Sequence, residues 1–259
     1  MGLITALAVQ LGQMLLMLAL APGVTGLTRK MKARLQRRVG PPIIQPYRDL
    51  RRLLGKEVVL ADGTSWLFRV APYLIFAVTW VAAALVPSFQ TGLLFSWTGD
   101  LITIVALLGV ARFLQAVAAL DSGTSFGGLG ASRELMIASL AEPAMMMIVF
   151  TVALVAGSTQ LTTIAGFMVA TGGLRVSLAM AMVALVIVAL AENGRIPFDN
   201  PATHLELTMV HEAMVLEYSG RHLAMIELAG SLRLLLYISL IACVFVPYGL
   251  IAGGAGAWR

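Results

Sequence analysis

Apolar and polar positions alternate along this chain in blocks rather than residue by residue. Six apolar runs, at roughly 2–25, 66–87, 98–120, 136–157, 174–191 and 223–250, reach or approach the ~20 residues that a membrane-crossing helix needs. A seventh stretch, 158–172, is apolar but rich in Thr and Gly and too short to cross, which suits a re-entrant or interfacial piece. The blocks between them fall into two kinds. Residues 26–65, 121–135 and 192–222 carry charge, whereas 88–97 and 158–173 carry none. The expected fold is therefore an all-α polytopic membrane protein, one transmembrane domain over 1–259 with about six spans and structured polar loops. Two of those loops predict helices of their own: Pro46 to Leu54, and an amphipathic segment from Thr203 to Tyr218. In the second, Leu207, Val210, Met214 and Glu217–Tyr218 recur at three- and four-residue spacing.

Composition agrees with the pattern. The chain is 59% hydrophobic and 12% charged, with mean hydropathy +0.90, where soluble domains carry about 25% charged residues. The first 25 residues lack the charged start and cleavage site of a signal peptide and read as a retained first span. Ten of the 18 Lys and Arg lie in 26–65, so by the positive-inside rule this loop faces the cytoplasm. The other two charged loops then fall on the same side, and the N-terminus faces outward across the cytoplasmic (inner) membrane. Net charge +5 implies no nucleic acid, because the basic residues flank spans. A single cysteine, Cys243, excludes a disulfide framework or a cysteine-based iron–sulfur site within the chain.

Candidate chemistry lies in the charged loops and in the ionisable residues placed inside spans. Arg112, Glu142, Glu227 and Arg233 sit within apolar runs, where charge is costly and usually has a task. Glu142 and Glu227 could carry protons, and Glu142 could pair with Arg112 across helices. Residues 191–223 hold five of the 13 acidic residues and all three histidines. Pro197, Asn200 and Pro201 break the helix entering this stretch. It reads as an acidic connection held against another protein, or as a solvated loop. In the first loop Gly40-Pro41-Pro42 turns the chain, and Arg48, Arg51 and Arg52 project toward a partner or lipid headgroups. The third loop, DSGTSFGGLGASREL, lacks the Lys of a phosphate loop; it reads as a tight turn with Ser132 capping the helix that follows. His204 and His211 are seven residues apart, not the four of a catalytic zinc helix, and no metal site is expected.

Three motifs carry a family resemblance over about residues 20–245. Arg38-Val39-Gly40-Pro41 with Ile44-Gln45-Pro46, Asp49 and Lys56-Glu57, then Arg133 with Glu142, then AENGRIPFDNP with EYSG, resemble the subunit 1 family of respiratory complex I. SFGGLGASREL and THLELTMVHEAMVLEYSG resemble its hydrogenase branch, that of formate hydrogenlyase and hydrogenase-4 type complexes. Ala202 and His204 stand where complex I members tend to have Glu, while Glu206 remains, which fits a hydrogenase better than a quinone reductase. Family members commonly have eight spans, and six are found here. The resemblance implies a membrane subunit with no cofactor of its own, whose partners are the nickel–iron large subunit, the small subunit, iron–sulfur subunits and antiporter-like membrane subunits. It implies that Glu142, Glu206, Glu217, Glu227 and Arg112 relay protons or coupling. Arg34, Arg38, Gln45, Asp49, Arg133, Glu192, Arg195 and Asp199 would shape or dock the loops, Glu192 and Asp199 by fixing the Pro197 turn. The rivals are a quinone-site complex I subunit and a stand-alone ion transporter.

Overall fold

The computed structural model describes residues 3–60, 63–88, 98–171, 175–196, 198–199 and 209–246, and among them every regular element is helical. In chain order these are α1 (Leu3–Leu35), α2 (Gln45–Leu54), α3 (Trp66–Leu85), α4 (Leu101–Asp121), α5 (Ser125–Ala156), α6 (Leu161–Thr171), α7 (Val176–Glu192), α8 (Val210–Val215) and α9 (Gly220–Phe245). Five of them, α1, α3, α4, α5 and α9, are long and apolar enough to cross a membrane. The 17 residues of α7 stand at the lower end of that range. α6 is a helix too short to cross, in the stretch expected to be a short membrane piece. α9 is the most buried of the long helices and packs against α1, α2, α3, α6 and α7, so it forms the axis of the bundle.

Two helices overrun the loops expected of them. α1 does not stop near residue 25 but continues to Leu35 and carries Arg29, Lys30, Lys32 and Arg34 on its last turns. Nothing in 26–35 breaks a helix, and cations near a helix C-terminus are favoured by its dipole. It ends in a Schellman closure: Arg38 N–H donates to Ala33 O (2.8 Å) and Arg37 N–H to Arg34 O (2.9 Å). Arg37 takes the left-handed conformation (φ 57°) usually left to glycine. α5 likewise begins at Ser125, inside the Gly-rich loop, with Thr124 as its cap accepting from Gly127 N–H at 3.2 Å. Ser132 is no cap; it lies within the helix and donates to Leu129 O (3.0 Å). Glycine is tolerated in this first stretch because neighbours need the room: a Cβ on Gly130 would lie 3.0–3.1 Å from Met214 and Ala213.

Side chains fasten the apolar helices where their backbones have spare acceptors. Gln10 and Gln13 of α1 donate to Ala84 O (3.1 Å) and Val86 O (2.7 Å) at the C-terminal end of α3, carbonyls with no further helical turn to donate to them. At the opposite end Asp121 accepts from both Ser65 N–H (3.0 Å) and Ser65 Oγ–H (2.9 Å), tying the start of α3 to the end of α4. α2 lies against α1 over two glycines: Tyr47 OH donates to Ala19 O beside Gly23, and Gly26 meets the carbonyl of Ile43.

The EYSG motif acts as a clasp. Ser219 Oγ accepts from Val59 N–H (2.8 Å) and donates to Val59 O (2.9 Å). Tyr218 stacks on Phe68 at 4.0 Å between ring centres and donates to Phe68 O (3.2 Å). Burial, with Asp121 adding to it, raises the Tyr218 phenol above its ordinary range and keeps the proton on this bond. Gly220 has φ 53°, and a Cβ there would stand 2.6 Å from Glu57 O. Gly220→Ala is therefore expected to cost about 1–3 kcal/mol and to lower the thermal midpoint of the detergent-solubilised protein. An unchanged midpoint would show that the clasp does not hold the first loop.

Candidate functional site

The centre of the molecule is a buried guanidinium. Arg112, on α4, is 5% exposed, and its Nη2 lies 2.6 Å from Glu192 Oε1 and 3.9 Å from Glu142 Oε1. The pairing expected between Arg112 and Glu142 is thus present as the longer of two contacts. The dominant partner is Glu192, the last residue of α7; the Pro197 turn that it is expected to fix lies outside the described residues. Physical reason favours this exchange: a cation in a low-dielectric interior needs a carboxylate that is equally buried, and Glu192 is 3% exposed at its side chain against 52% for Glu142.

One turn further along α4, Gln115 extends the polar thread to two other elements. Arg233 Nη2 on α9 donates to Gln115 Oε1 (3.3 Å), and Gln115 Nε2 lies 3.1 Å from His211 Nδ1 on α8. Arginine only donates, so the amide oxygen must face Arg233 and the amide N–H faces the imidazole. Nδ1 of His211 is then the acceptor, and the ring proton sits on Nε2. Desolvation, then the charges of Arg233 and Arg195, push the His211 pKa down to about 4, so the ring is neutral at physiological pH. Burial and the neighbouring Arg29 hold Arg195 below the ordinary arginine range.

Beside this thread lies a cavity of about 250 Å³, lined by Glu134, Glu192, Arg195, Asp199, His211, Glu212, Glu227 and Arg233 among others. A second cavity of about 260 Å³ runs between α1, α2 and α9, and Thr25, Arg29, Glu227 and Ser231 line both. The two adjoin, and Pro46, Asp49, Leu50, Arg52, Leu53 and Leu223 complete the lining of the second. Arg233 Nε and Asp199 Oδ1 are buried and have no hydrogen-bond partner among the described residues. The first cavity can hold several waters, at ~30 Å³ each, and its wall offers carboxylates, guanidinia and a neutral imidazole to them.

The remaining predicted residues separate into three groups. Glu227 lines both cavities, and Arg195 and Asp199 line the first. Asp199 also caps α8, accepting from Val210 N–H at 3.1 Å, so it fixes the start of that helix. Gln45 donates to Asp49 Oδ1 (3.0 Å), which also pairs with the exposed Arg52 (3.5 Å), while Arg34, Arg38 and Arg133 are exposed at the charged end. Glu217 lines neither cavity, and Glu206, Pro197 and His204 lie outside the described residues. Of the helix expected from Thr203 to Tyr218, the described part is helical only over Val210–Val215. Glu134, Gln115 and His211 belong to the site although none is among the residues predicted for it, and Arg233, singled out as an ionisable residue within a span, joins it as well. The three-residue spacing of Arg112 and Gln115 is the available signal. Among the described residues no group of three His, Cys, Asp or Glu is placed to hold a metal ion.

Comparison with known proteins gives this arrangement a family. The model of the NADH dehydrogenase family (NADHdh) matches residues 8–254. The chain belongs to that family. It is 35% identical over 238 residues to formate hydrogenlyase subunit 4 of Escherichia coli (strain K12), covering 92% of this chain and 76% of the relative. With hydrogenase-4 component C of the same organism it shares 35% over 239 residues, 92% and 75% of the two chains. With NADH-ubiquinone oxidoreductase chain 1 of Hyaloraphidium curvatum it shares 30% over 213 residues, 80% and 69%. A chain of the membrane-bound sulfane sulfur reductase, an archaeal respiratory membrane complex, has the same fold: TM-score 0.77 at 21% identity, over 93% of this chain and 79% of that one. This NADHdh-family chain is accordingly a multi-pass membrane protein, and its identity is higher toward the hydrogenase-complex proteins than toward the complex I chain.

Two measurements test the site. Glu192→Ala leaves Arg112 without its close partner and is expected to cost about 3–5 kcal/mol. Glu142→Ala, losing the longer and half-exposed contact, should cost less than about 1 kcal/mol. Equal losses in thermal unfolding would contradict the assignment of Glu192 as the principal counterion. The second test uses pH. His211 has a folded value of about 4 against 6.5 for an unperturbed ring, so the stability it contributes is complete above ~6.5 and is lost as pH falls toward 4. His211→Asn keeps an acceptor for Gln115 but cannot titrate, and should flatten the melting profile across that window.

Proposed function

We propose that this chain is the membrane anchor of a membrane-bound nickel–iron hydrogenase complex of the formate hydrogenlyase type, and that it couples electron transfer in its partners to ion movement. The observation that carries this reading is 35% identity with formate hydrogenlyase subunit 4 along nearly the whole chain, joined to a buried ionic thread that links the charged loops to the interior of the bundle.

In this reading the end of the bundle built from the α1 extension, α2, the α5 start and α8 faces the cytoplasm, and the N-terminus faces outward. Ten cations in 26–65 support that orientation. Arg34, Arg38, Arg48, Arg51 and Arg133 are exposed there, and they present a basic surface to the hydrogenase large and small subunits and the iron–sulfur subunits. The nickel–iron centre and iron–sulfur clusters belong to those partners, and this chain holds no cofactor. Redox work in the peripheral proteins shifts the segment containing α8. His211 and Gln115 transmit the shift to Arg233 and the Arg112–Glu192 pair, while Glu227 exchanges protons with the cavity. Glu142 passes the change on to antiporter-like membrane subunits that move H⁺ or Na⁺.

Gentle purification of the tagged chain from native membranes is expected to bring down proteins containing nickel and iron, with hydrogen evolution insensitive to quinone-site inhibitors. Quinone-dependent NADH oxidation by the same preparation would replace this reading with the complex I one, and an active, metal-free lone chain would replace it with a transporter. A cysteine placed at Leu35 should react with an impermeant maleimide in inside-out vesicles and not in intact cells. The reverse pattern would overturn the orientation. Glu227→Gln should keep the metal content of the complex but lower ion translocation several-fold.

A further inference from the structure

Glu142 puts a carboxylate on the outer surface of the bundle, well inside a span. It stands about 21 Å along α5 from Ala156, at 1.5 Å per residue, within a hydrocarbon layer of about 30 Å. Its side chain is 52% accessible, and a Cβ on Gly109 of α4 would stand 3.5 Å from its carboxylate, so the exposed Phe113 one turn on from Gly109, with the exposed Ser139 and Leu135 one and two turns before Glu142 on α5, share its face. Arg112 does not balance it. The Nη2 that approaches Glu142 at 3.9 Å is the same atom that Glu192 holds at 2.6 Å. One guanidinium between two carboxylates leaves a formal excess of one negative charge, and the outward-facing group is the one less well served.

Lipid tails supply neither a counter-charge nor a hydrogen-bond donor, and ionisable groups in spans normally face protein or a wet cavity. The outer face of α1 makes the contrast: Ile4, Leu7, Leu11 and Leu15 are exposed, with no charged residue between Leu3 and Thr28. That face suits lipid, and the Glu142 face does not.

We propose that the α4–α5 face around Glu142 is an interface with a second membrane subunit, and that this subunit seats a helix carrying a lysine, arginine or histidine against the carboxylate. Charge selects the occupant. A second copy of this chain docked symmetrically on the same face would bring two Glu142 carboxylates together, so the partner is a different chain with a basic group at this depth. The proposal rests on the reading of this protein as one subunit of a membrane complex.

The test is photo-crosslinking in the intact complex, with p-benzoylphenylalanine at Phe113 or Ser139 and, as a control, at Leu11. Integrity is checked by the hydrogen-evolving activity and metal retained on the tagged chain. The expected result is a polypeptide adduct at Phe113 and Ser139, at least fivefold above Leu11, that maps to a span with a basic residue within two turns of the adduct. Glu142→Lys should reduce retention of that partner at least fivefold, and exchanging its mapped basic residue for Glu should restore it. Adduct yields no higher than at Leu11 in an intact complex would overturn the proposal. So would an adduct on a span without a basic residue, or a charge exchange that restores nothing. A tagged chain that emerges alone and metal-free would instead overturn the complex reading, and the proposal with it.

Discussion

Arg112 can remain inside the helix bundle only because a carboxylate equally sheltered from solvent meets it at 2.6 Å, and much of the interior is arranged around that requirement. Apolar contacts between helices are numerous but non-directional, and in a bilayer they give no hydrophobic driving force for one register over another. A buried ion pair is directional, and misplacing it leaves a desolvated charge without compensation. Glu192 is the last residue of α7, so the end of that span is pinned to the middle of α4. Gln115 then passes the register to α9 through Arg233 and to α8 through His211. One polar thread thus fixes three apolar helices and a loop helix relative to each other.

The loop face is fastened by a different set of contacts, most of them to backbone. Ser219 satisfies both the N–H and the C=O of Val59, Asp121 takes two donors from Ser65, and Asp199 caps α8. The Ser219–Val59 and Asp121–Ser65 contacts join segments far apart in the chain. α8 itself is only six residues long, too short to be stable alone. It is held by Asp199 at its start, by Gly130 packing against Ala213 and Met214, and by the His211–Gln115 bond. An element held by few contacts from several directions is a natural place for a partner's motion to enter.

How much of this is legible in the sequence depends on the scale of the interaction. The spans follow from block hydrophobicity, and the pairing of Arg112 with Glu142 from the cost of charge in a membrane. The extent of α1 and the start of α5 are missed when charge and glycine are read as loop signals. Lys and Arg extend a helix well when they fall at its C-terminus, and the glycines of α5 are kept for close packing, not for a turn. Glu192 is assigned to a turn because it borders Pro197, and nothing in a linear pattern gives its distance to a residue eighty positions away. Gln115 carries no charge to attract notice, yet it decides the tautomer of His211. The clasp at EYSG is visible as a motif, but its partner, the backbone of residues 57–59, is invisible to side-chain reasoning.

The geometry around Arg112 also bears on how a loop could influence the membrane interior. The same Nη2 lies between two carboxylates whose distances differ by little more than an ångström, 2.6 and 3.9 Å. At an effective dielectric of about 20, Coulomb's law puts the loss at Glu192 on exchanging those distances at about 2 kcal/mol, and the gain at the half-exposed Glu142, weakened by solvent, offsets part of it. That is comparable to the loss or gain of one or two hydrogen bonds, at ~1 kcal/mol each. Displacing α8 breaks the bond between His211 and Gln115, one turn from Arg112, and frees the amide that holds Arg233. A disturbance of that size at the loop is therefore matched in energy to a shift of the guanidinium from the inward carboxylate to the outward one. No redox group in this chain is needed for the effect, because a change of contact at one end of the thread alters the electrostatic balance at the other.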